Sequence, residues 1–196
     1  MTARREVLAR VRHALRDAAE APEVPRDYRA AGRPDLDVVE LFAARVADYR
    51  ASVVRCAATE VEAEITNALD GARAVVPVDL PWRTPAGIAD RGFTARELDE
   101  FDAVVTAAAV GIAVTGTIVL DHGVAQGRRA LSLVPDLHVC VVRPEQIHYG
   151  VSDAFAMLDP KRPQTWISGH SATSDIELSR VEGVHGPRTL RVIVAG

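Results

Sequence analysis

The sequence predicts an α/β fold, a mainly parallel sheet with flanking helices, preceded by an N-terminal helical segment. Three observations predict it. Short β-branched and apolar runs alternate with stretches of helical periodicity, the pattern of a layered α/β domain. One run, Leu-His-Val-Cys-Val-Val at 137–142, is apolar at nearly every position, as in a strand buried on both faces. In residues 110–143 and 167–186, apolar β-formers stop abruptly at glycines and small hydroxyls. Parallel-sheet proteins build polar pockets at strand ends in this way.

Residues 4–16 place Val7, Leu8, Val11 and Leu15 on one helical face and Arg4, Arg5, Arg12 and Arg16 mostly elsewhere. A basic amphipathic helix can bind membranes or partners. Glu6 and Asp17 dilute the charge and no aromatic anchor is present, which favours a helix docked on its own domain or on a neighbouring subunit. Residues 21–34 carry Pro22, Pro25 and Pro34 with little periodic hydrophobicity and read as a linker. The expected organisation is therefore a helix and linker over 1–35 and one α/β domain over 36–196.

Within that domain, Val38, Leu41, Phe42, Val46 and Tyr49 line one side of a helix over 37–49. A short strand follows at 52–56. Thr59 and Glu62 have capping-box spacing for a helix to about Leu69, ended by Asp70-Gly71. A buried strand is expected over 73–78. Thr94 and Glu97 repeat the capping spacing before a short helix to Phe101, and 102–109 reads as strand-like. Residues 110–120, broken by Thr115-Gly116, fit a strand, a tight turn and a second strand. A helix over 125–134, the strand at 137–142, a short helix over 152–158, and strands at 164–168 and 190–194 complete the reading.

A chain of 196 residues, 48% hydrophobic, can bury one sizeable core. The net charge of -4 offers no basis for a nucleic-acid partner, which would call for a basic patch. Lys161 is the only lysine, which points to a codon-usage bias toward arginine. No apolar run is long enough to span a bilayer, and the N-terminal charges flank no continuous apolar stretch of a secretory signal. Cys56 and Cys140 sit among small or β-branched residues and read as buried thiols of a reducing cytoplasm. The expectation is a cytoplasmic protein without membrane insertion. Two cysteines cannot supply the four thiolates of a usual iron–sulfur cluster, so any cluster must lie on another chain.

Neither a glycine-rich dinucleotide fingerprint nor a P-loop is present, and no cofactor is expected. His138, His170 and His185 lack metal-ligand spacing, so no metal is expected and a hydrogen-bonded structural role suits them. Ser171, His185 and Asp175 could form a triad on paper, but no nucleophile elbow supports one. Thr115-Gly116-Thr117 fits either a simple tight turn or a turn that cradles an anion. Arg128 is either a surface arginine at a helix start or a partner for a phosphate or carboxylate. Ser171, Thr173, Ser174 and Asp175, at a strand-to-helix transition, can cap the helix and bind an anion. Asp175 is expected to matter most in that loop, through capping or through its charge. The candidate ligand-binding residues are Thr115, Gly116, Thr117, Arg128, Ser171, Thr173 and Asp175, expected to converge at one edge of the sheet.

Four blocks together, TGTIVL at 115–120, QGRRALSLVPDLHVCVV at 126–142, SATSDIEL at 171–178 and GVHGP at 183–187, resemble the LUD domain of the lactate utilization protein C family. The resemblance covers residues 36–195. It implies the fold of the NagB, ribose-phosphate isomerase and CoA-transferase group, and a role in oxidising L-lactate to pyruvate. It also implies partners, cysteine-rich subunits that carry the iron–sulfur clusters, beside which this chain is an accessory subunit with a pocket for a small anion. Two positions depart from the family pattern. Val114 stands where an acidic residue usually precedes Thr-Gly-Thr, and His170 stands where the family reads Gly-Pro-Ser. The first removes the carboxylate that a CoA-transferase-like nucleophile would need; the second removes proline's fixed φ. The alternative is a self-sufficient enzyme on a phosphorylated sugar or acyl-CoA. It needs another carboxylate, with Asp121, Asp175 and Glu177 as candidates. Whether the chain is catalytic stays open at this level.

Overall fold

The computed structural model describes residues 3–19, 22–26, 36–173, 181–183 and 186–196. Helix α1 (Ala3–Ala14) buries none of its residues. Helix α2 (Val38–Asp48) starts where Asp37 accepts hydrogen bonds from the Val39 and Glu40 amides, a side-chain N-cap. Strand β1 (Ser52–Cys56) leads through a 3-10 turn to α3 (Val61–Leu69), which ends at Asp70 in the left-handed conformation. The main strands that follow are β2 (Ala74–Val76), β3 (Gly87–Ala89) and β4 (Ala103–Ala107), with the short α4 (Ala95–Leu98) between the last two. Thr94 and Glu97 close a reciprocal capping box around α4. Next come β5 (Val110–Ile112), β6 (Thr117–Leu120), β7 (Leu137–Val142), β8 (Ile147–His148), α5 (Val151–Ala156) and β9 (Thr165–Ile167). Two two-residue strands, β10 (Ala172–Thr173) and β11 (Val181–Glu182), pair antiparallel and precede β12 (Thr189–Ala195).

Six strands form one parallel sheet in the order β1-β12-β7-β4-β2-β3. A second sheet, β8-β5-β6-β9, is mixed, with β6 antiparallel to both β5 and β9. The period-two alternation along β7 shows how the layers are built. Val139 and Val141 face α3, packing with Val61, Ile65 and Leu69. Cys140 and Val142 face the other way, onto Phe42 and Val46 of α2 and Ile118 and Leu120 of β6. The main sheet is thus covered on both faces, which is why its central strand carries so few polar residues.

Two expectations need correction, and a third lies mostly outside the described residues. Residues 125–134 do not form a helix. Ala125 and Gly127 adopt left-handed φ angles of 60° and 67°, so the chain turns twice and only Arg129–Ser132 closes as a 3-10 turn. Thr59 and Glu62 do not make the capping box before α3. Glu60 instead accepts from the Ala57 amide, and Glu62 reaches the Arg83 amide in the β2–β3 connection. Past Ser171, Ala172 and Thr173 are extended and pair with Val181 and Glu182, while Ser174, Asp175 and the helix expected after them lie outside the described residues.

Candidate functional site

A groove of about 240 Å³ opens between the beginning of β7 and β12 and the segment that follows β9. Ser168, His170 and Ser171 line one wall, Ser132 and His138 another, and Thr165, Trp166 and Leu190 contribute as well. The segment 168–171 is seated on the C-terminal end of α2. Gly169 has φ +89°, and a Cβ there would come within 2.7 Å of the Tyr49 side chain, so glycine is required on both counts. His170 donates from Nδ1 to the Tyr49 carbonyl at 3.2 Å. That bond tethers the loop at the position where proline's stiffness is lost.

A chain of hydroxyls runs to the groove from the β5–β6 turn. Thr115 Oγ1 lies 2.7 Å from Thr117 Oγ1, and Thr117 Oγ1 lies 2.8 Å from Ser168 Oγ. Thr115 and Thr117 are thus linked to Ser168 from behind, while Ser168 and Ser171 themselves line the groove. Gly116 serves the turn differently. It has φ +59°, and its missing Cβ makes room for the α2 backbone at Arg45 and Val46. Thr173 pairs with Val181 beyond Ser171.

Arg128 is not brought to this cluster. Its guanidinium forms a two-pronged pair with Asp90, Nε to Oδ2 at 2.7 Å and Nη2 to Oδ1 at 3.1 Å, and also donates to the Phe93 carbonyl. The pairing holds the Asp90 carboxyl below its usual range. Asp90 also caps the 90–93 turn by accepting from the Gly92 and Phe93 amides. Arg128→Gln should therefore cost about 1–2 kcal/mol of stability, the worth of hydrogen bonds to a charged group. The same variant should leave ligand binding in the groove unchanged. Chemical denaturation beside a binding titration checks both, and a loss of binding without a loss of stability would contradict this placement.

Sequence reasoning passed over the position of His138 beneath the groove. Its ring is buried, with Nε2 2.9 Å from Thr106 Oγ1, and the Thr106 hydroxyl in turn reaches Cys140 Sγ at 3.7 Å. If the hydroxyl donates to the sulfur, Nε2–H donates to the hydroxyl and Nδ1 keeps its lone pair. Burial lowers the pKa of His138 to about 4, so the ring is neutral at physiological pH. Burial also pushes the Cys140 thiol up to about 12 and raises Cys56. The signal for His138 was a single polar residue inside an otherwise apolar strand.

Val114 packs beside Ile112, Val119 and Leu158, and its amide donates to the Tyr149 carbonyl. An apolar contact thus occupies the position before Thr-Gly-Thr. Among the described residues no group of three or more histidine, cysteine or acidic side chains is arranged to hold a metal ion. Nor is any described helix long and apolar enough to cross a membrane.

A family model for the LUD domain matches residues 34–195, the span that holds both sheets and the groove. The chain belongs to the LUD domain family. This LUD-domain chain is 44% identical to lactate utilization protein C of Deinococcus radiodurans over 99% of its own length and 96% of that protein. It is 27% identical to an uncharacterized protein, NMB1437, of Neisseria meningitidis serogroup B, covering 98% of this chain and 93% of that one. The crystal structure of a DUF162 family protein from Deinococcus radiodurans superposes with a TM-score of 0.70 at 42% identity, covering 81% of this chain and 96% of that chain. The mainly parallel LUD-domain architecture inferred from the sequence is therefore shared with a solved relative.

Proposed function

We propose that this chain serves lactate utilization as an accessory subunit of a system that oxidises L-lactate to pyruvate. In this reading, cysteine-rich iron–sulfur subunits carry the electrons. The observation that carries it is the 44% identity, end to end, with a protein named lactate utilization protein C. The cysteines agree: two cannot complete a four-thiolate cluster, and Cys140 is buried with a raised pKa. The working unit of this proposal is residues 36–196, with 1–35 appended.

The groove beside Ser168 and Ser171 is the proposed site of a small anion. Support comes from Ser168 and Ser171 on one wall, with the Ser168 hydroxyl backed by Thr117 and Thr115 behind it. Hydroxyl donors along the cleft suit a carboxylate, and the neutral His138 below keeps an Nδ1 lone pair that can accept from a ligand hydroxyl without burying a charge.

Two measurements test the reading. A strain lacking this chain should grow on glucose but not on L-lactate, and the purified chain alone should not reduce a dye with lactate. Normal growth on lactate without the chain, or lactate-dependent dye reduction by the chain alone, would remove the accessory role. For the groove, a Trp82→Phe variant leaves Trp166 as the only tryptophan, and its fluorescence should change saturably with lactate or pyruvate. No such change, or one unaffected by Ser168→Ala with Ser171→Ala, would remove the anion site.

A further inference from the structure

A second crevice, of about 520 Å³, lies at the opposite ends of the strands. In the main sheet, β2 is followed by β3 on one side, while its other neighbour β4 is followed by β7 on the far side. The connections leaving β2 and β4 therefore diverge, and a cleft opens at their carboxyl ends. Ligands of open α/β sheets bind at such a divergence. The cleft is lined from the β2 side by Trp82 and from beyond β6 and β7 by Asp121, Gln126, Arg143, Gln146 and Arg162.

The polar groups around Asp121 are fixed in place. Asp121 Oδ1 accepts from the Gly123 amide at 3.0 Å and from Gln126 Nε2 at 2.8 Å, and Arg162 pairs with Oδ2 at 3.1 Å. Gln126 Oε1 closes the loop by accepting from the Asp121 amide at 2.7 Å. His122, at φ +57°, is clamped at both ring nitrogens. Nδ1 donates to the Gly127 carbonyl, and Nε2 accepts from the Thr165 hydroxyl. Non-glycine residues in the left-handed region cost energy and persist only where surroundings hold them, as at ligand clamps. Here two of them, His122 and Ala125, flank one loop. A Cβ on Gly123 would sit 2.9 Å from Asp121 Oδ1, so the loop backbone is drawn close against the carboxylate.

We propose that this crevice binds a hydroxylated organic anion, with Arg143 and Arg162 holding the anionic group and Asp121 accepting a ligand hydroxyl. A carboxylate offers about four acceptor sites, and three donors already occupy Asp121. The remaining site takes a donor, which a hydroxyl on the ligand supplies. Arg143 pairs with Glu145 at an exposed surface, where both side chains are more than half accessible. Such pairs are worth little, so Arg143 can turn to a ligand at small cost. Trp82 supplies a flat apolar wall along which the ligand's carbon chain lies. The site is separate from the groove, and the inference does not rest on the lactate reading.

Trp82 and Trp166 are the only tryptophans and they line different clefts, so each site has its own reporter. In a full-length Trp166→Phe variant, Trp82 fluorescence is titrated with D-gluconate, glucose 6-phosphate, hexanoate and D-glucose at millimolar concentrations. Gluconate or glucose 6-phosphate should give a saturable change, while hexanoate, lacking hydroxyls, and glucose, lacking charge, should not. Saturation by one of the two anions identifies a carboxylate or a phosphate as the anionic group. Arg143→Gln should weaken that binding at least about tenfold, as expected for the loss of one charge-assisted hydrogen bond. Four outcomes would each overturn the proposal. They are no saturable change with either anion, equal binding of hexanoate, unchanged affinity in Arg143→Gln, or the same titration curve from Trp166 in the Trp82→Phe variant.

Discussion

Gly116→Ala should destabilise the domain by about 2–5 kcal/mol, combining a left-handed backbone penalty with overpacking against a neighbouring element. Glycine at φ +59° lets the β5–β6 turn lie flat on α2, and an added Cβ would meet Arg45 C, Arg45 O and Val46 N at 2.7–2.8 Å. Those are backbone atoms inside a helix, so no rotamer change relieves the contact. Either the turn or the helix must move, and α2 carries Phe42 and Val46 into the core. Thr115→Ala, one residue earlier, loses only a partly buried hydroxyl contact and should cost about 1 kcal/mol. Urea denaturation of the two variants beside the native chain decides the matter. Equal midpoints for Gly116→Ala and the native chain would mean that the turn does not depend on close approach to α2.

The second large effect is a loss of stability in acid, traceable to one buried imidazole. His138 titrates near 6.5 when unfolded and at about 4 when folded, because burial disfavours its charged form. Between those values the unfolded chain binds the proton and the folded chain does not. Stability therefore rises with pH across the window and is lost as pH falls through it. The full difference is on the order of 3 kcal/mol, of which about 2 kcal/mol should already be gone at pH 5. His138→Gln keeps a polar side chain that can bond Thr106 but has nothing to protonate. Its stability should differ little between pH 7 and pH 5, whereas the native chain should weaken. The Asp90–Arg128 pair acts in the same direction, but only as the depressed Asp90 carboxyl is protonated at lower pH. If native and variant chains lose stability equally between pH 7 and pH 5, His138 is not the acid-sensitive group.

Elements defined by local chemistry were legible before the structure. Strands β1 and β7 fall at the residues expected, since a run of β-branched and apolar side chains bounded by charge leaves little choice of register. The Thr94–Glu97 box placed α4 because a cap acts over three residues, and the apolar stripe from Val38 to Tyr49 placed α2 because a helix repeats every 3.6 residues. The strand-turn-strand over 110–120 was also readable, because a glycine interrupts an otherwise apolar run. What escaped was set by distant partners. Arg128 looked available for a ligand because Asp90, 38 residues earlier, gives no local sign of claiming it. The left-handed Ala125 dissolved the expected helix, and alanine is the last residue to announce such a turn. The groove was half legible. The small hydroxyls of Thr117 and Ser171 marked their loops, and His138 was readable as a hydrogen-bonded histidine, but nothing local showed that its end of the strand lies beneath the groove.

The order of strands has a consequence for how the protein is made. β1 lies at the sheet edge and its strand partner is β12, which also forms the seam with β7. During synthesis β1 emerges first and waits, unpaired, until residues 189–195 have left the ribosome. Strands β2, β3, β4 and β7 can assemble in the meantime, but with the inner edge of β7 open. Until then the nascent chain presents two apolar strand edges to other nascent chains, the condition under which aggregation competes with folding. A chain truncated before β12 could not complete its main sheet, because β1 would have no strand partner and β7 would keep an open edge.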